Sequence, residues 1–380
     1  MKKILEDIRV VDLTHVWFGP WCTRILGMLG AEVIKIEPPW GGMVRFRPPV
    51  FGNDAGPDFL CFNTDKKGIT LDLKKTKGKK AFFDLVKKSD VVVNNFMPGT
   101  MERLGIGYNT LKEMKPSIIY AALSGYGQTG PYSRRPSFAP IGEAWAGYTR
   151  LNGDMVDPEG PPLPTTDGFG DLVPGTWAAL CIIAAIRYRD FTGIGQVIDV
   201  SQIEVITHME THSINLQRLT GLAPREAWEK YFPGVGAIMK ASDGYVRIVA
   251  PMGHWTDRLA KLIGVEEVTL ENVTDWVSRR PVMEVVEILS ENDIPVGPCN
   301  SLKEMMEDPH LKARGSFVEI EDPRVGKLKL PAFPVKLSET PGMLKSSAPT
   351  LSQHTEEVLS KILEYSKDEI EQMRKNKVIA

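Results

Sequence analysis

The 380-residue chain lacks any excess of positive charge: 46 lysines and arginines stand against 48 aspartates and glutamates. That balance removes the basic footprint nucleic-acid binding needs, so no nucleic-acid partner is expected. No run of like charge suggests a disordered tail. Cysteine is scarce, with four residues, Cys22, Cys61, Cys181 and Cys299. None pairs at a metal-ligand spacing and each lies among apolar neighbours. They are expected to be buried, reduced thiols, which makes the cytoplasm the simplest compartment. The six histidines are scattered and form no metal set, so no metal is expected. Met1-Lys2-Lys3 leads into mixed residues rather than an apolar signal core. The longest apolar run, Trp177 to Ile186, is too short to span a bilayer, and no membrane partner is expected. Internal repeats and low-complexity tracts are also missing.

What is present is a chain longer than one core usually serves, so two domains are expected. The first part alternates strands and helices. Ile8 to Leu13 reads as a buried strand, Gly19-Pro20 opens a helical stretch to Leu29, and Glu32 to Glu37 is the next strand. Further strands are read at 69–73, 90–93, 118–123 and 197–200, with an amphipathic helix over 77–88. Residues 40 to 60 read as a loop. Alternation of this kind argues for an α/β doubly wound parallel sheet. From about Gly221 to Gly315 the pattern changes to a smaller α+β domain. The expected division is a large domain of 1–205 and 330–380, a small domain of 221–315, and linkers at 206–220 and 316–329.

Gly125-Tyr126-Gly127-Gln128-Thr129-Gly130 matches G-x-G-x-x-G and follows a strand. Pro131 and Pro136 stand where the pyrophosphate-binding helix should begin, so NAD and FAD are rejected. The most informative stretch is 164–205. Asp171 follows Gly168-Phe169-Gly170, and a long apolar helix, Leu172 to Arg189, comes next. A carboxylate at a helix entrance is either an N-cap or a nucleophile. On residue type alone the cap is favoured. Asp167, four residues upstream, competes for the nucleophilic role.

Eight landmarks in order then make the chain resemble the class III coenzyme A transferases, the CaiB/BaiF family. They are Val10-Val11-Asp12-Leu13-Thr14 with Gly19-Pro20; Leu29 to Glu37; Leu71-Asp72-Leu73-Lys74; Asn95 to Gly99 through Leu104-Gly105; Ser124 to Pro131; Gly170-Asp171; Thr192 to Gln196; and His354-Thr355. The resemblance implies a large Rossmann-like domain built from both chain ends, a small domain between, and an interlocked homodimer. It implies acyl-CoA and a carboxylic acid as substrates, with no permanently bound cofactor. Asp171 would be the nucleophile, forming an acyl-aspartyl anhydride and then an aspartyl-CoA thioester. Backbone N–H groups near Gly170 and the entrance of the following helix would be oxyanion donors. Val16, Leu71, Lys74, Asn95, Phe96 and Arg103 match CoA-contact positions, with Arg103 suited to a phosphate.

The chain departs from the family's formyl-CoA transferases at several points. Trp17 stands in place of a glutamine, Ala139 in place of a glutamate, and Pro38 in place of an arginine that meets CoA. Only Gly234-Val235-Gly236 resembles their glycine run in the small domain. Formate or oxalate specificity is therefore not expected. Trp17, Phe18, Trp21, Phe138 and Trp145 read as walls of an apolar acyl pocket suited to a larger or aromatic acid. Within the same family, 2-methylacyl-CoA racemases use a histidine near position 138. Here Phe138 stands, and no histidine occurs from 16 to 207, which disfavours two-base proton transfer. A non-catalytic CoA-binding protein is the alternative from another class.

Overall fold

Buried β-branched runs put a parallel sheet at the centre of the first unit. Val10 and Val11 are both fully buried, as are Val91, Val92 and Val93. Successive side chains point to opposite faces, so such runs require cover on both sides. The computed structural model describes residues 3–166 and 168–380. Its six-stranded sheet consists of β1 (Arg9–Asp12), β2 (Glu32–Glu37), β3 (Lys66–Thr70), β4 (Val91–Asn94), β5 (Ile119–Ser124) and β6 (Val197–Ser201). Their order is β3-β2-β1-β4-β5-β6, with every pair parallel. Strand order reverses between β1 and β4, where Val10 pairs with Val33 on one side and Val91 on the other.

One face carries Val11, Ile34, Ile69 and Val92 against Phe82, Leu85 and the C-terminal Ile370, Met373 and Ile379. The other carries Val10, Val33, Val93 and Ala121 against Phe18, Cys22, Leu26, Ala178, Ile182 and Ile186. The second set comes from two helices, Phe18–Met28 and Phe169–Thr192. They approach closely at Gly175, where an added Cβ would stand 2.7 Å from the Phe18 carbonyl oxygen. At 24 residues, Phe169–Thr192 is long and apolar enough to cross a membrane by length and composition, which the reading of Trp177–Ile186 alone understates. Half of its apolar stretch is instead buried in this core.

The chain divides into two compact units. The first takes the chain up to Gly153, from Pro161 to Glu210 and from Ser316 to the end; the second takes Asp154–Gly160 and Thr211–Gly315. In the second, β7 (Gly234–Lys240), β8 (Tyr245–Pro251) and β9 (Val296–Pro298) form an antiparallel sheet. Val246 and Ile248 pack there with Leu259, Val273, Val285 and Leu289. Residues 316–329, read as a linker, carry most of an antiparallel hairpin of the first unit, β10 (Phe317–Asp322) and β11 (Gly326–Pro331). Residues 206–220, also read as a linker, are largely helical, in Gln202–Met209 and Thr211–Thr220.

Other differences have local causes. β3 begins at Lys66 rather than at residue 69, because the Lys66 ammonium is buried on Asp12 and does not mark a surface. Pro57–Phe62 is helical, starting inside the stretch read as loop. The long helix starts at Phe169, since Gly168 adopts left-handed φ +60° as its N-cap. Residues Ala139–Ala146 and Tyr148–Val156 form two further helices, separated at Gly147. The Gly125–Gly130 stretch runs into turns, and the next helix begins only at Ala139. Cys22 is buried, whereas Cys61 and Cys181 are half-buried and Cys299 is exposed, so the expected burial fails for Cys299.

Candidate active site

In open α/β sheets, ligands bind beyond the carboxyl ends of the strands where strand order reverses. Here that point lies between the ends of β1 and β4. The turn after β1 is fixed from below by Asp12, which is fully buried. Its carboxylate accepts from the Thr14 amide at 2.8 Å, the Thr14 hydroxyl at 2.5 Å, the Thr23 hydroxyl at 2.7 Å and the Lys66 ammonium at 2.9 Å. Although burial opposes ionisation, the Lys66 and Lys35 charges and these hydroxyls hold Asp12 well below the usual carboxylate range. Burial pulls Lys66 down to about 8, against the attraction of Asp12. Lys35 donates to the Thr14 carbonyl at 2.7 Å.

The turn so held ends in Val16 at φ +62°, a strained conformation for a β-branched residue. Asn95, just past β4, ties the turn across the switch point. It accepts from the His15 amide at 2.9 Å and donates to the His15 carbonyl at 2.7 Å. Phe96 lies 5.5 Å from the His15 ring. Val16, Asn95 and Phe96 thus follow the two strands flanking the reversal. Leu71 and Lys74 follow β3; Leu71 is buried and Lys74 exposed. Arg103 is exposed on a short helix, Thr100–Arg103, where it donates to the Thr100 hydroxyl at 2.8 Å.

Asp171 is the third residue of its helix and not a cap: the N-cap is Gly168, which makes no side-chain cap bond. Its side chain is only 7% exposed. Oδ1 accepts from the Gln202 amide nitrogen at 2.6 Å. Gln202 begins the helix after β6, and its own Oε1 accepts from the Ser137 hydroxyl at 3.3 Å. Beside Asp171 is a second buried carboxylate, Glu143. It accepts from the Gly170 amide at 2.8 Å and from the Thr165 hydroxyl. Burial pushes Asp171 up to about 7; the Gln202 bond opposes this and the Glu143 charge adds to it. Asp167, the competing candidate, lies outside the described residues.

The expected oxyanion donors are already committed. The Gly170 amide goes to Glu143, and the Asp171 and Leu172 amides go to the Gly168 carbonyl at 2.7 and 2.9 Å. The Gln202 amide is the donor aimed at Asp171.

The aromatic residues read as one acyl pocket separate into distinct places. Phe18 is packed in the core beneath the sheet, which corrects its reading as a pocket wall. Trp17 lies 5.0 Å from Phe62, and Trp21 meets Phe62 edge-on. An added Cβ on Gly168 would stand 2.5 Å from Trp17 Cε3, so this indole rests on the turn before Asp171. Trp17 Nε1 is buried without a hydrogen-bond partner among the described residues. Trp145 clusters instead with Tyr126 and Tyr132. Phe138 is 58% exposed and Ala139 buried. Gly234 and Gly236 lie on β7 of the second unit, Gly234 at φ +130°.

The sequence profile of CoA-transferase family III matches residues 5–355. The chain belongs to CoA-transferase family III. It is 35% identical to the alpha subunit of succinyl-CoA–L-malate CoA-transferase of Chloroflexus aurantiacus, across 99% of this chain and 92% of that one. It is 31% identical to succinyl-CoA:mesaconate CoA-transferase of Haloarcula hispanica, across 93% and 95%. Among solved structures, a CaiB/BaiF family protein from Brucella suis superposes with a TM-score of 0.84 at 25% identity, covering 95% of this chain and all of that one.

This family III transferase is therefore an enzyme of CoA transfer. Two residues beside its Asp171 escaped the sequence reading, Glu143 and Gln202. Glu143 had a visible signal, a lone acid within Ile141-Gly142-Glu143-Ala144-Trp145. It lies one helical turn beyond Ala139, so the face that lacks an acid at 139 presents one at 143. Gln202 had no such signal, since its role depends on β6 delivering it to another helix.

Proposed function

We propose that this transferase moves CoA from an acyl-CoA thioester to a free carboxylic acid through covalent intermediates on Asp171. The reading is carried by one observation: a buried carboxylate, Asp171, whose one side-chain donor among the described residues is Gln202. An Asp171 oxygen attacks the thioester carbonyl; a C–O bond forms, the C–S bond breaks, and CoA leaves as thiolate. The thiolate then attacks the aspartyl carbonyl of the anhydride and releases the donor acid. The acceptor carboxylate attacks the aspartyl-CoA thioester and expels the thiolate again. Attack of that thiolate on the acceptor's acyl carbon yields product and frees Asp171. No net proton is consumed, and each step exchanges one activated carbonyl for another.

Val16, Leu71, Lys74, Asn95, Phe96 and Arg103 hold CoA in this reading, around the β1–β4 reversal. Trp17 sits against the nucleophile turn, and its indole N–H supplies a donor to the acyl group. The relatives named for L-malate and mesaconate point to dicarboxylic acids as the substrate class. The dispersal of the aromatic residues removes the argument for an aromatic acid. A second copy of the chain covers the outward apolar side of the long helix, where Leu180, Tyr188 and Phe191 are exposed. The racemase reading lacks support: Phe138 offers no base.

Incubation with succinyl-CoA and hydroxylamine tests the mechanism. Mass spectrometry should find a hydroxamate on Asp171, formed only when acyl-CoA is present. A freely exchanging Asp171→Ala variant would sink the reading.

A further inference from the structure

Asp171 is buried beside two side chains that act on it in opposite senses. Gln202 Nε2 donates to Oδ1 at 2.6 Å and stabilises the carboxylate. Glu143 is 3% exposed and holds the amide of the residue immediately before Asp171. Its two oxygens are thereby committed to Gly170 and Thr165, so its charge is held beside Asp171. Two carboxylates confined in low dielectric disfavour each other's charge.

Among the described residues, the elements around this turn carry further titratable groups. Tyr148, at the start of the next helix, contributes a phenol whose ring stacks on Phe169 at 4.5 Å. On the helix Gln202–Met209, Glu204 lies with the β6 residue Asp199 beside Gly127, and Asp199 accepts the Gln128 amide. The helix Phe18–Met28 brings Cys22, whose thiol burial pushes up, and Arg24, whose Nε donates to the Thr64 hydroxyl.

We infer that Glu143 and Gln202 are opposed positioning residues that set the charge state and reactivity of Asp171, Glu143 by destabilising its carboxylate and Gln202 by stabilising it. The inference rests on the reading of Asp171 as nucleophile. Attack on a thioester removes the negative charge from Asp171 and places it on the departing sulfur. A fixed Glu143 charge beside Asp171 is therefore relieved as the aspartyl bond forms, which speeds that step. Gln202 keeps a fraction of Asp171 ionised at neutral pH and can follow the same oxygen as it becomes a carbonyl.

The test uses full-length protein carrying ¹³C-carboxyl aspartate, with the Asp171 resonance assigned by its loss in Asp171→Asn. Glu143→Gln preserves length and an acceptor for the Gly170 amide while removing the charge. It should lower the Asp171 titration midpoint by about one pH unit, an order typical of a neighbouring charge. Gln202→Met removes the donor with little change in volume and should raise the midpoint by a similar amount. At pH 8.5, Glu143→Gln should also lose roughly tenfold in kcat with an unchanged KM for CoA thioesters, a loss confined to the transition state. Unmoved midpoints, or movement of both in one direction, would overturn the inference. The titration does not depend on turnover, so a missing Asp171 adduct in the unsubstituted protein would defeat the mechanism and leave these shifts readable.

Discussion

Asp12 and Asp171 are both buried aspartates of the same unit, and burial penalises the charge of each. Asp12 meets that penalty with two hydroxyls, a backbone amide and an ammonium. Among the described residues, Asp171 has one side-chain amide donor and a like charge nearby. The first is held ionised and inert; the second is held near the point where its charge is easily lost. Burial alone does not distinguish a carboxylate held ionised from one held near neutrality. The distinction lies in how many donors the surrounding elements deliver.

The largest expected effect breaks the comparison at the reactive end. Asp171→Asn should lower transfer by about 10⁴-fold or more, the scale of losing a covalent nucleophile. Measured by exchange of labelled CoA, that loss should come with a retained fold and retained CoA binding. Asp12→Asn should do the reverse. It leaves the Lys66 ammonium buried without its counter-charge, which costs about 3–5 kcal/mol. Urea unfolding should show that loss, while any folded fraction keeps an ordinary Asp171 titration. A stable Asp12→Asn variant would mean that the network under the β1 turn is dispensable.

The two groups also separate in pH. Asp12 has a depressed native pKa, so its stabilisation is present above the unfolded value near 3.9 and is lost as pH falls through the native one. Asp171 has a raised native pKa of about 7. Its contribution to stability therefore falls as pH rises from about 3.9 through that value, and in the proposed mechanism activity requires the ionised form. At pH 5 the protein should remain folded while transfer falls on the order of a hundredfold, two units below the midpoint. Near pH 8, Asp171→Asn should be more stable than the unsubstituted protein, by up to about 4 kcal/mol for a shift of this size. At pH 4 the two should unfold alike. Equal stability at both pH values would show that Asp171 is not held near neutrality.

The strand and helix periodicity made the parallel sheet legible, because core runs such as Val91-Val92-Val93 read the same with or without tertiary context. What periodicity could not show was charge that goes inside. Lys66 looks like a surface residue until Asp12 is placed beside it, and β3 was accordingly read three residues late. At the site, Asp171 was singled out by its glycine turn and by the ordered family landmarks. Its immediate partners were not, since Glu143 and Gln202 come from 28 residues before and 31 after. Sequence spacing carries no sign of such a meeting. Reading Phe18 as a pocket wall failed for a related reason: an aromatic at a helix start serves core and pocket equally well until its face is known.

The smallest expected effect sharpens the comparison by leaving both aspartates untouched. Arg103 is exposed, and its guanidinium donates to Thr100. If it meets a CoA phosphate, Arg103→Ala should raise KM for CoA thioesters about three- to tenfold, close to 1 kcal/mol for a solvent-exposed ion pair. If kcat is set at Asp171, as proposed, it should not change. The effect should shrink with added salt, as screening shortens the reach of an exposed charge. A pantetheine thioester without the nucleotide phosphates supplies the control: its KM should be the same for both proteins. If the variant loses as much with that truncated thioester, Arg103 acts on the fold of the β4 loop and not on a phosphate.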